Sequence, residues 1–178
     1  SAVIKNDKAV HIYMNANGDV DSLVKAISLL DEALILDSLY SISYANKAHY
    51  LTIMGKGKEA MFVIDKAIKN LPQDPQLHFV KGVFYEKEGL SALARNSFNQ
   101  SISNYNKLII SNPDDFNLLL KRFFVSVFAE DPEKSLKELA TLQSKYDELS
   151  EEYRQIQDMI QFILNIDKDD YILQFWNQ

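Results

Sequence analysis

Residues 41–74 read SISYANKAHYLTIMGKGKEAMFVIDKAIKNLPQD, and residues 75–108 read PQLHFVKGVFYEKEGLSALARNSFNQSISNYNKL. When the two segments are aligned with a shift of 34, small residues fall on small ones and large apolar residues on large ones. The aligned pairs are Ala48 with Gly82, Gly55 with Gly89, Ala60 with Ala94, Ile64 with Phe98, Ala67 with Ser101 and Ile68 with Ile102. This period predicts repeated helical hairpins, with small residues where the two helices of a pair cross closely.

Helical periodicity extends over almost the whole chain, and no stretch shows the strict alternation expected of a β-strand. The pairs at residues 74–75, 112–113 and 131–132 each predict an Asp or Asn N-cap followed by a proline at the first helical position. Ser150, followed by two glutamates, predicts another N-cap. The sequence predicts helices at residues 7–17, 20–36, 40–54, 56–70, 75–88, 91–111, 113–129, 132–147, 150–166 and 168–176. Because the connections are short, successive helices are expected to be antiparallel neighbours in an all-α fold.

The positions shared by the two segments resemble the tetratricopeptide (TPR) repeat, a helix–turn–helix unit of about 34 residues. In residues 41–74 the matching residues are Tyr44, Ala48, Leu51, Gly55, Ala60, Ile64, Ala67 and Pro72. In residues 75–108 they are His78, Gly82, Tyr85, Gly89, Ala94, Phe98 and Ser101. The resemblance implies a right-handed α-α superhelix, a TPR-like helical-hairpin solenoid in one domain, with repeats at 7–40, 41–74 and 75–112. Residues 113–178 are expected to form an acidic helical C-terminal part that ends in a capping helix.

Two of the three repeats depart from the pattern. The first carries extra residues around Asn17-Gly18-Asp19, which places its first helix out of register. The proline of the third repeat comes late, at Pro113, which predicts a second helix about two turns longer. Beyond residue 115 the chain matches only in having helical hairpins of similar size.

A TPR array lines its concave face with the first helix of each pair, so the resemblance implies that a peptide or a helix binds there. On this chain the groove face is expected to carry His11, Asn15, Ile42, Ala45, Asn46, His49, Phe79, Val83 and Glu86. This would be a mixed surface of amides, imidazoles and apolar patches.

One TPR subfamily grips the C-terminal carboxylate of a partner with two asparagines and three cationic side chains. Asn15 and Asn46 match the asparagine positions, but His11, Gln76 and Val80 occupy the cationic positions. A carboxylate would lack charge-assisted hydrogen bonds there, so we expect no such clamp. Asn15 and Asn46 also fit ordinary exposed positions of a helix.

Charge and composition exclude several classes of function. The chain has 19 basic and 25 acidic residues, a net charge of −6, and no cysteine. The excess is uneven, because residues 1–113 carry 12 basic and 11 acidic side chains whereas residues 114–178 carry 7 and 14. This balance argues against binding to nucleic acid or to an anionic membrane surface. No window approaches 18 unbroken apolar residues, so we expect no transmembrane segment.

The three histidines do not form a pattern that predicts a metal site. His11, His49 and His78 lie in different repeats, without the i, i+4 spacing of a helical zinc pair and without a cysteine to complete a coordination shell. His78 occupies the aromatic packing position of its repeat and is expected to be structural.

Two loop segments resemble ligand-binding motifs only in part. Residues 15–21 resemble the start of a calcium loop, but Val20 and Ala26 stand where the essential glycine and the closing glutamate should be. Residues 55–58 lack the preceding strand, the first glycine and the Ser or Thr of a phosphate loop. We expect both to be interhelical turns, and we expect no metal, no cofactor and no catalytic residue in the chain.

The C-terminal tail carries an aromatic stripe. We expect its residues to seal the apolar edge of the last hairpin, because the ends of repeat arrays need capping. The alternative is a surface for a partner or for a second copy of the chain, that is, a homodimer through the C-terminal helix. The stripe is Tyr171, Ile172, Phe175 and Trp176, and the edge is Tyr153, Ile156, Ile160, Ile163 and Leu164.

The sequence therefore predicts a non-enzymatic protein–protein interaction scaffold that binds a peptide or helix in a pre-organised groove. The alternative is a sensor or binding module for a small molecule or peptide in a regulatory or envelope-associated system. The chain begins Ser-Ala-Val-Ile-Lys without an initiator Met, so we expect that a preceding segment was removed. The compartment stays open between cytoplasmic, periplasmic and membrane-anchored.

Overall fold

A computed structural model of the chain describes residues 1–129, 132–168 and 170–171, and the part that it describes contains α-helices and no β-strand. The all-α prediction is confirmed. Among these residues none of the helices combines the length and the apolar character needed to cross a bilayer. The helices are α1 Ala2–Asn15, α2 Val20–Leu36, α3 Ser41–Ile53, α4 Gly57–Asn70, α5 Pro75–Lys87, α6 Ser91–Ser111, α7 Phe116–Ala129, α8 Pro132–Gln143 and α9 Glu151–Asn165.

The chain forms two compact units, Ser1–Lys81 and a second unit that begins at Gly82, so that the division falls within α5. In both units the buried residues of the second helix of each hairpin follow the 34-residue spacing. Each of α2, α4 and α6 buries a small residue, a large apolar residue and another small residue along one stripe. These triplets are Ala26, Leu30 and Ala33, then Ala60, Ile64 and Ala67, then Ala94, Phe98 and Ser101.

An ion pair between successive hairpins recurs at the same spacing in the first unit. Lys47 of α3 pairs with Asp31 of α2, and Lys81 of α5 pairs with Asp65 of α4, at 2.7 Å in the second case. The two lysines are 34 residues apart in the sequence, and so are the two aspartates. The contact between the second helix of one hairpin and the first helix of the next is therefore repeated.

The aromatic position at the start of the first helix is repeated as well. The Tyr44 hydroxyl donates a hydrogen bond to the Ser38 carbonyl oxygen over 3.2 Å. His78, which lies 34 residues later, has its Nε2 atom 2.9 Å from the Pro72 carbonyl oxygen. Both side chains tie the first turn of a helix to the loop before it, so His78 has the structural role that its position predicts.

The turns within the second and third hairpins are also alike. Gly55 and Gly89 have φ values of 73° and 72°, in the left-handed region that favours glycine. In both turns the amide of the residue after the glycine donates to the carbonyl five residues earlier, over 2.8 Å. This closes the end of the preceding helix in the manner of a Schellman motif. Gly55 and Lys56 thus lie in an interhelical turn, as predicted, and α4 begins at Gly57.

The two helices of the third hairpin are in close contact at Gly82. A Cβ atom at this position would lie 2.4 Å from the ring of Phe98, which is itself buried on α6. Only a residue without a side chain fits there while the ring keeps its place. This is the structural reason for glycine at the position that Ala48 occupies in the second hairpin.

The first hairpin is out of register, as predicted. Helix α1 begins at Ala2, five residues before the predicted start. Its buried small apolar residues are Ala2 and Ala9, whereas Met14, which lies 34 residues before Ala48, is 74% exposed. The chain therefore uses a longer connection, with Asn17 and Gly18 both at positive φ, before α2 begins.

Two of the predicted helix caps are confirmed, and one predicted helix start is wrong. The Asp74 carboxylate accepts from the Gln76 amide at 2.9 Å, and the Ser150 hydroxyl accepts from the Tyr153 amide at 3.1 Å. The start predicted at Asn112-Pro113 is wrong, because α7 begins at Phe116. There the Asp115 carboxylate takes over the capping, accepting from two amides of the first turn at 3.0 and 3.3 Å. At the pair predicted at Asp131-Pro132, α8 begins at Pro132 as predicted, and the cap residue Asp131 lies outside the described residues.

Helix lengths agree with the late proline of the third repeat. Helix α6 has 21 residues and α4 has 14, a difference of about two turns. Helix α8 ends at Gln143, four residues before the predicted end, because the chain turns over residues 144–150.

The core around α7, α8 and α9 is built from larger side chains. Its buried residues are Phe123, Val127, Leu139, Ile156 and Ile163. Beside it Tyr171 packs its ring against three others, at centroid distances of 5.6, 5.3 and 6.2 Å from Phe124, Phe128 and Phe162.

The first residue of the predicted aromatic tail thus packs on α7 and α9, against rings that are not part of the predicted edge. Burial raises the pKa of the Tyr171 phenol. Ile156 and Ile163 of the predicted edge are buried, whereas Leu164 is exposed. Ile172, Phe175 and Trp176 lie outside the described residues.

Candidate functional site

Two of the predicted groove residues, Asn46 and His49, connect α3 to α1. The Asn46 amide donates to the Asn6 Oδ1 atom over 3.0 Å, and the buried Asn6 also accepts from the Ser43 hydroxyl at 3.3 Å. The His49 Nε2 atom lies 3.2 Å from the Tyr13 hydroxyl. These side chains hold two helices together, so each is only partly open to a ligand.

An aromatic stack extends this contact. The rings of Tyr13 and Tyr50 stack at a centroid distance of 4.5 Å, and His49 meets Tyr13 edge-on at 5.5 Å. Burial raises the pKa of both tyrosines, because a phenolate would lose its hydration. Both phenols are therefore neutral at physiological pH and serve packing.

Three of the other predicted residues of α1 and α3 are more open. His11 and Asn15 are exposed, but the Asn15 amide donates to the His11 carbonyl oxygen over 2.7 Å within its own helix. Ile42 is 41% exposed, and Ala45 is buried. The exposed part of this predicted face is therefore reduced to a few side chains.

On α5 two of the predicted groove residues are buried. Phe79 and Val83 are only 6% and 0% exposed, so both side chains belong to the interior and cannot line an open groove. Their apolar character is explained by packing. Glu86 is half-buried and accepts a hydrogen bond from the Ser91 hydroxyl at 3.1 Å, which ties it to the first residue of α6.

The segment that resembles a calcium loop is a helix cap. The Asp19 carboxylate accepts from both the amide and the hydroxyl of Ser22, at 2.8 and 2.6 Å. These hydrogen bonds lower the pKa of Asp19. Across the described ranges, 1–129, 132–168 and 170–171, no group of three or more His, Cys, Asp or Glu side chains is placed to hold a metal ion.

A pocket that the sequence did not predict opens between α2, α3 and α4, within the first unit. Its volume is about 730 Å³. Helix geometry puts Tyr44, Lys47 and Leu51 on the side of α3 opposite to Asn46 and His49, so this pocket and the predicted groove face are different surfaces. The lining residues are Asp31, Leu34, Ile35, Ser38, Tyr44, Lys47, Leu51, Lys58, Glu59, Phe62, Val63, Lys66 and Asn70.

The rim of this pocket exposes large apolar side chains. Ile35 of α2 is 83% exposed and Phe62 of α4 is 71% exposed, while Tyr44 and Leu51 form a buried floor. A ligand that covers such side chains removes them from water, which stabilises the complex by about 25 cal/mol for each Å² covered. The pocket is therefore apolar at its floor and at its rim.

Charged side chains surround this apolar surface. Lys47 is paired with Asp31, and Glu59 lies 3.6 Å from Lys56. Among the described residues, Lys58 and Lys66 have neither an ion pair nor a hydrogen bond. The carboxylates of the pocket are thus neutralised, and the surplus charge at its rim is positive.

The sequence does contain a signal for this pocket. Phe62 aligns with Ser28 and Asn96 in the other two repeats, and Ile35 aligns with Lys69 and Ser103. Polar residues are usual at these positions because they face solvent. A large apolar residue that departs from the repeat at a solvent-facing position indicates a binding surface rather than core.

No protein-family model, curated protein or solved structure matches this chain. The resemblance to the TPR repeat therefore rests on residues within the chain itself.

Proposed function

We propose that the chain is a non-enzymatic protein-interaction module that binds a peptide or a helix of a partner protein. The observation that supports this most directly is the pocket between α2, α3 and α4, whose rim exposes Ile35 and Phe62. Exposed apolar patches on otherwise well-packed domains mark interaction surfaces. Aromatic side chains are also the residues that most often dominate binding energy at such surfaces.

We further propose that the hairpins are TPR-like repeats of a right-handed α-α superhelix. The 34-residue recurrence of the buried stripe, of the Lys–Asp pair and of the glycine turn supports this interpretation. Each repeat leaves grooves between neighbouring helices, and a groove between pre-organised helices binds a partner without a large ordering cost.

Two surfaces of the first unit can receive the partner. The predicted face on α1 and α3 offers Ile42 and parts of Asn46 and His49, which are already engaged with α1. The pocket offers the exposed side chains of Ile35 and Phe62, and its rim carries lysines without an ion pair among the described residues. The pocket is therefore our first choice, and the α1–α3 face is the second.

Site-specific photo-crosslinking tests this proposal. The photoreactive residue p-benzoylphenylalanine replaces Phe62 in the pocket, Ile42 on the α1–α3 face, or Ile110, an exposed position on α6, as the matched control. After irradiation in native extract, we expect a protein adduct at Phe62 that is absent at Ile110. Adducts at Ile42 alone would move the binding surface to the α1–α3 face. No specific adduct at either position would contradict the proposed function.

A small-molecule sensor is the second candidate, favoured by the size of the pocket. Its volume of about 730 Å³ lies within the range of pockets that hold small ligands. Native mass spectrometry of the protein purified from extract measures this directly. A bound small molecule that is lost from Phe62→Ala would favour the sensor over the interaction module.

A further inference from the structure

The pocket rim on α4 carries three side chains at regular spacing. Lys58, Phe62 and Lys66 are four residues apart, so they form one stripe along the helix. With a rise of about 1.5 Å per residue, the two lysine Cα atoms lie about 12 Å apart with the phenylalanine midway. Ile35 of α2 lines the opposite side of the same pocket.

The charge of this stripe has no counterpart in the pocket. Lys58 and Lys66 are exposed and unpaired among the described residues, whereas Asp31 and Glu59 already have basic partners. A ligand that covered the apolar rim would remove water from the two ammonium groups. That step is unfavourable unless the ligand brings carboxylates to replace the lost hydration.

We propose that this pocket binds an acidic segment of a partner protein, in which one apolar side chain is flanked on both sides by carboxylates. The apolar side chain would enter between Ile35 and Phe62, and the flanking carboxylates would reach Lys58 and Lys66. This inference rests on the proposed function and specifies its partner. A protein segment with a few carboxylates can meet the two lysines locally, whereas an extended polyanion such as a nucleic acid or an anionic membrane would also face the net charge of −6 of the whole chain.

Peptide selection on the full chain tests the proposal and does not require the partner to be identified first. A random peptide library in mRNA display is selected on the immobilised protein, and the enriched peptides are measured by fluorescence anisotropy. The variants are Lys58→Glu with Lys66→Glu, and Phe62→Ala. The matched control is Lys8→Glu, an exposed lysine of α1 that does not line the pocket. Circular dichroism melts show whether each variant folds, as expected for exposed positions.

We expect enriched peptides with an apolar residue between acidic ones. Their affinity should fall about tenfold or more in the double charge reversal and in Phe62→Ala, and should be unchanged in Lys8→Glu. It should also weaken between about 50 and 300 mM salt, because salt screens exposed charges. Basic or uncharged peptides, or an affinity that the double reversal leaves unchanged, would overturn the proposal.

Other outcomes separate this inference from the proposed function. Peptides whose binding is lost in Ile42→Ala but kept in Phe62→Ala would overturn the acidic-segment site and leave an interaction module on the α1–α3 face. If no enriched peptide depends on either surface, both proposals fail. Sedimentation velocity tests whether a second copy of the chain occupies the pocket. A dimer that dissociates in the double charge reversal would assign the pocket to the acidic part of a second copy and overturn the proposal.

Discussion

Helices α2, α4 and α6 and helices α7 to α9 pack through different kinds of buried side chains. In the hairpins the buried stripe alternates small and large side chains, and Gly82 leaves room for nothing but a hydrogen atom against Phe98. Around α7 to α9 the core and its edge are built from aromatic and branched side chains. Small residues fix the distance between helices, so they recur at a set spacing. Large rings fill space in several ways, so no such spacing is required.

The largest expected effect is at the contact between Gly82 and Phe98. Phe98→Ala should destabilise the protein by about 3–5 kcal/mol, because it removes a buried ring that packs on Gly82 and lies 5.6 Å from Phe128. Urea unfolding measures the change.

The double variant sharpens this test. Gly82→Ala alone should cost about 1–3 kcal/mol, because its Cβ meets the ring. In Phe98→Ala the same substitution should cost much less, since the opposing ring is gone. Additive effects in this double-mutant cycle would show that the Gly82–Phe98 contact is not the cause.

Enlarging a small residue of the repeated stripe should have the next largest effect. Ala60→Leu and Ala94→Leu should each lose about 1–3 kcal/mol by overpacking, as read from circular dichroism melts. Ala92→Leu, at an exposed position of the same helix as Ala94, is the matched control and should change stability by less than about 0.5 kcal/mol. Unchanged melts for both buried variants would contradict the register of the repeats.

The aromatic edge of the second unit should be less sensitive. Tyr171→Ala removes edge-on and tilted contacts with three phenylalanine rings, but the side chain is only half-buried. We expect a loss of about 1 kcal/mol in the same melts. A loss as large as that of Phe98→Ala would show that the two regions are equally intolerant and would remove the contrast between them.

The smallest effect at neutral pH is expected for Tyr50→Phe. Among the described residues the Tyr50 hydroxyl has no hydrogen-bond partner, so its removal should leave stability almost unchanged at pH 7. Burial, and secondarily Tyr13, raises the pKa of Tyr50 above the ordinary tyrosine value of about 10. The folded state favours the neutral phenol. The free energy of unfolding therefore keeps its full value below about pH 10 and falls as the pH rises further.

Urea titrations from about pH 9 to 11 should thus show a smaller alkaline loss of stability in Tyr50→Phe than in the wild type. Tyr171→Phe makes the same comparison in the second unit, because burial raises the pKa of that phenol too. Identical alkaline profiles for the wild type and Tyr50→Phe would contradict the assigned cause.

Most helix positions could be predicted from the sequence, because caps and turn glycines act locally. Asp74 and Ser150 cap helices as expected, and Gly55 and Gly89 form the predicted turns. The predicted start of α7 is wrong because proline tolerates a turn as well as a first helical position. The carboxylate of Asp115 decides between the two.

The site was harder to predict than the fold. The sequence places Phe79 and Val83 on one face of a first helix, but it does not show whether other helices cover that face. In the structure both side chains are buried. The pocket depends on Phe62 and Ile35, which the period marks as exceptions. A search for repeated residues does not find them, because these two residues differ from their counterparts in the other repeats.

The repeated ion pairs also bear on how quickly the chain reaches its fold. Lys47 and Asp31 are 16 residues apart in sequence, and so are Lys81 and Asp65. Closing such short loops costs little chain entropy, and proteins rich in local contacts fold in microseconds to milliseconds. Each hairpin of the first unit can therefore form as soon as its neighbour is present, during synthesis and before the rest of the chain has left the ribosome.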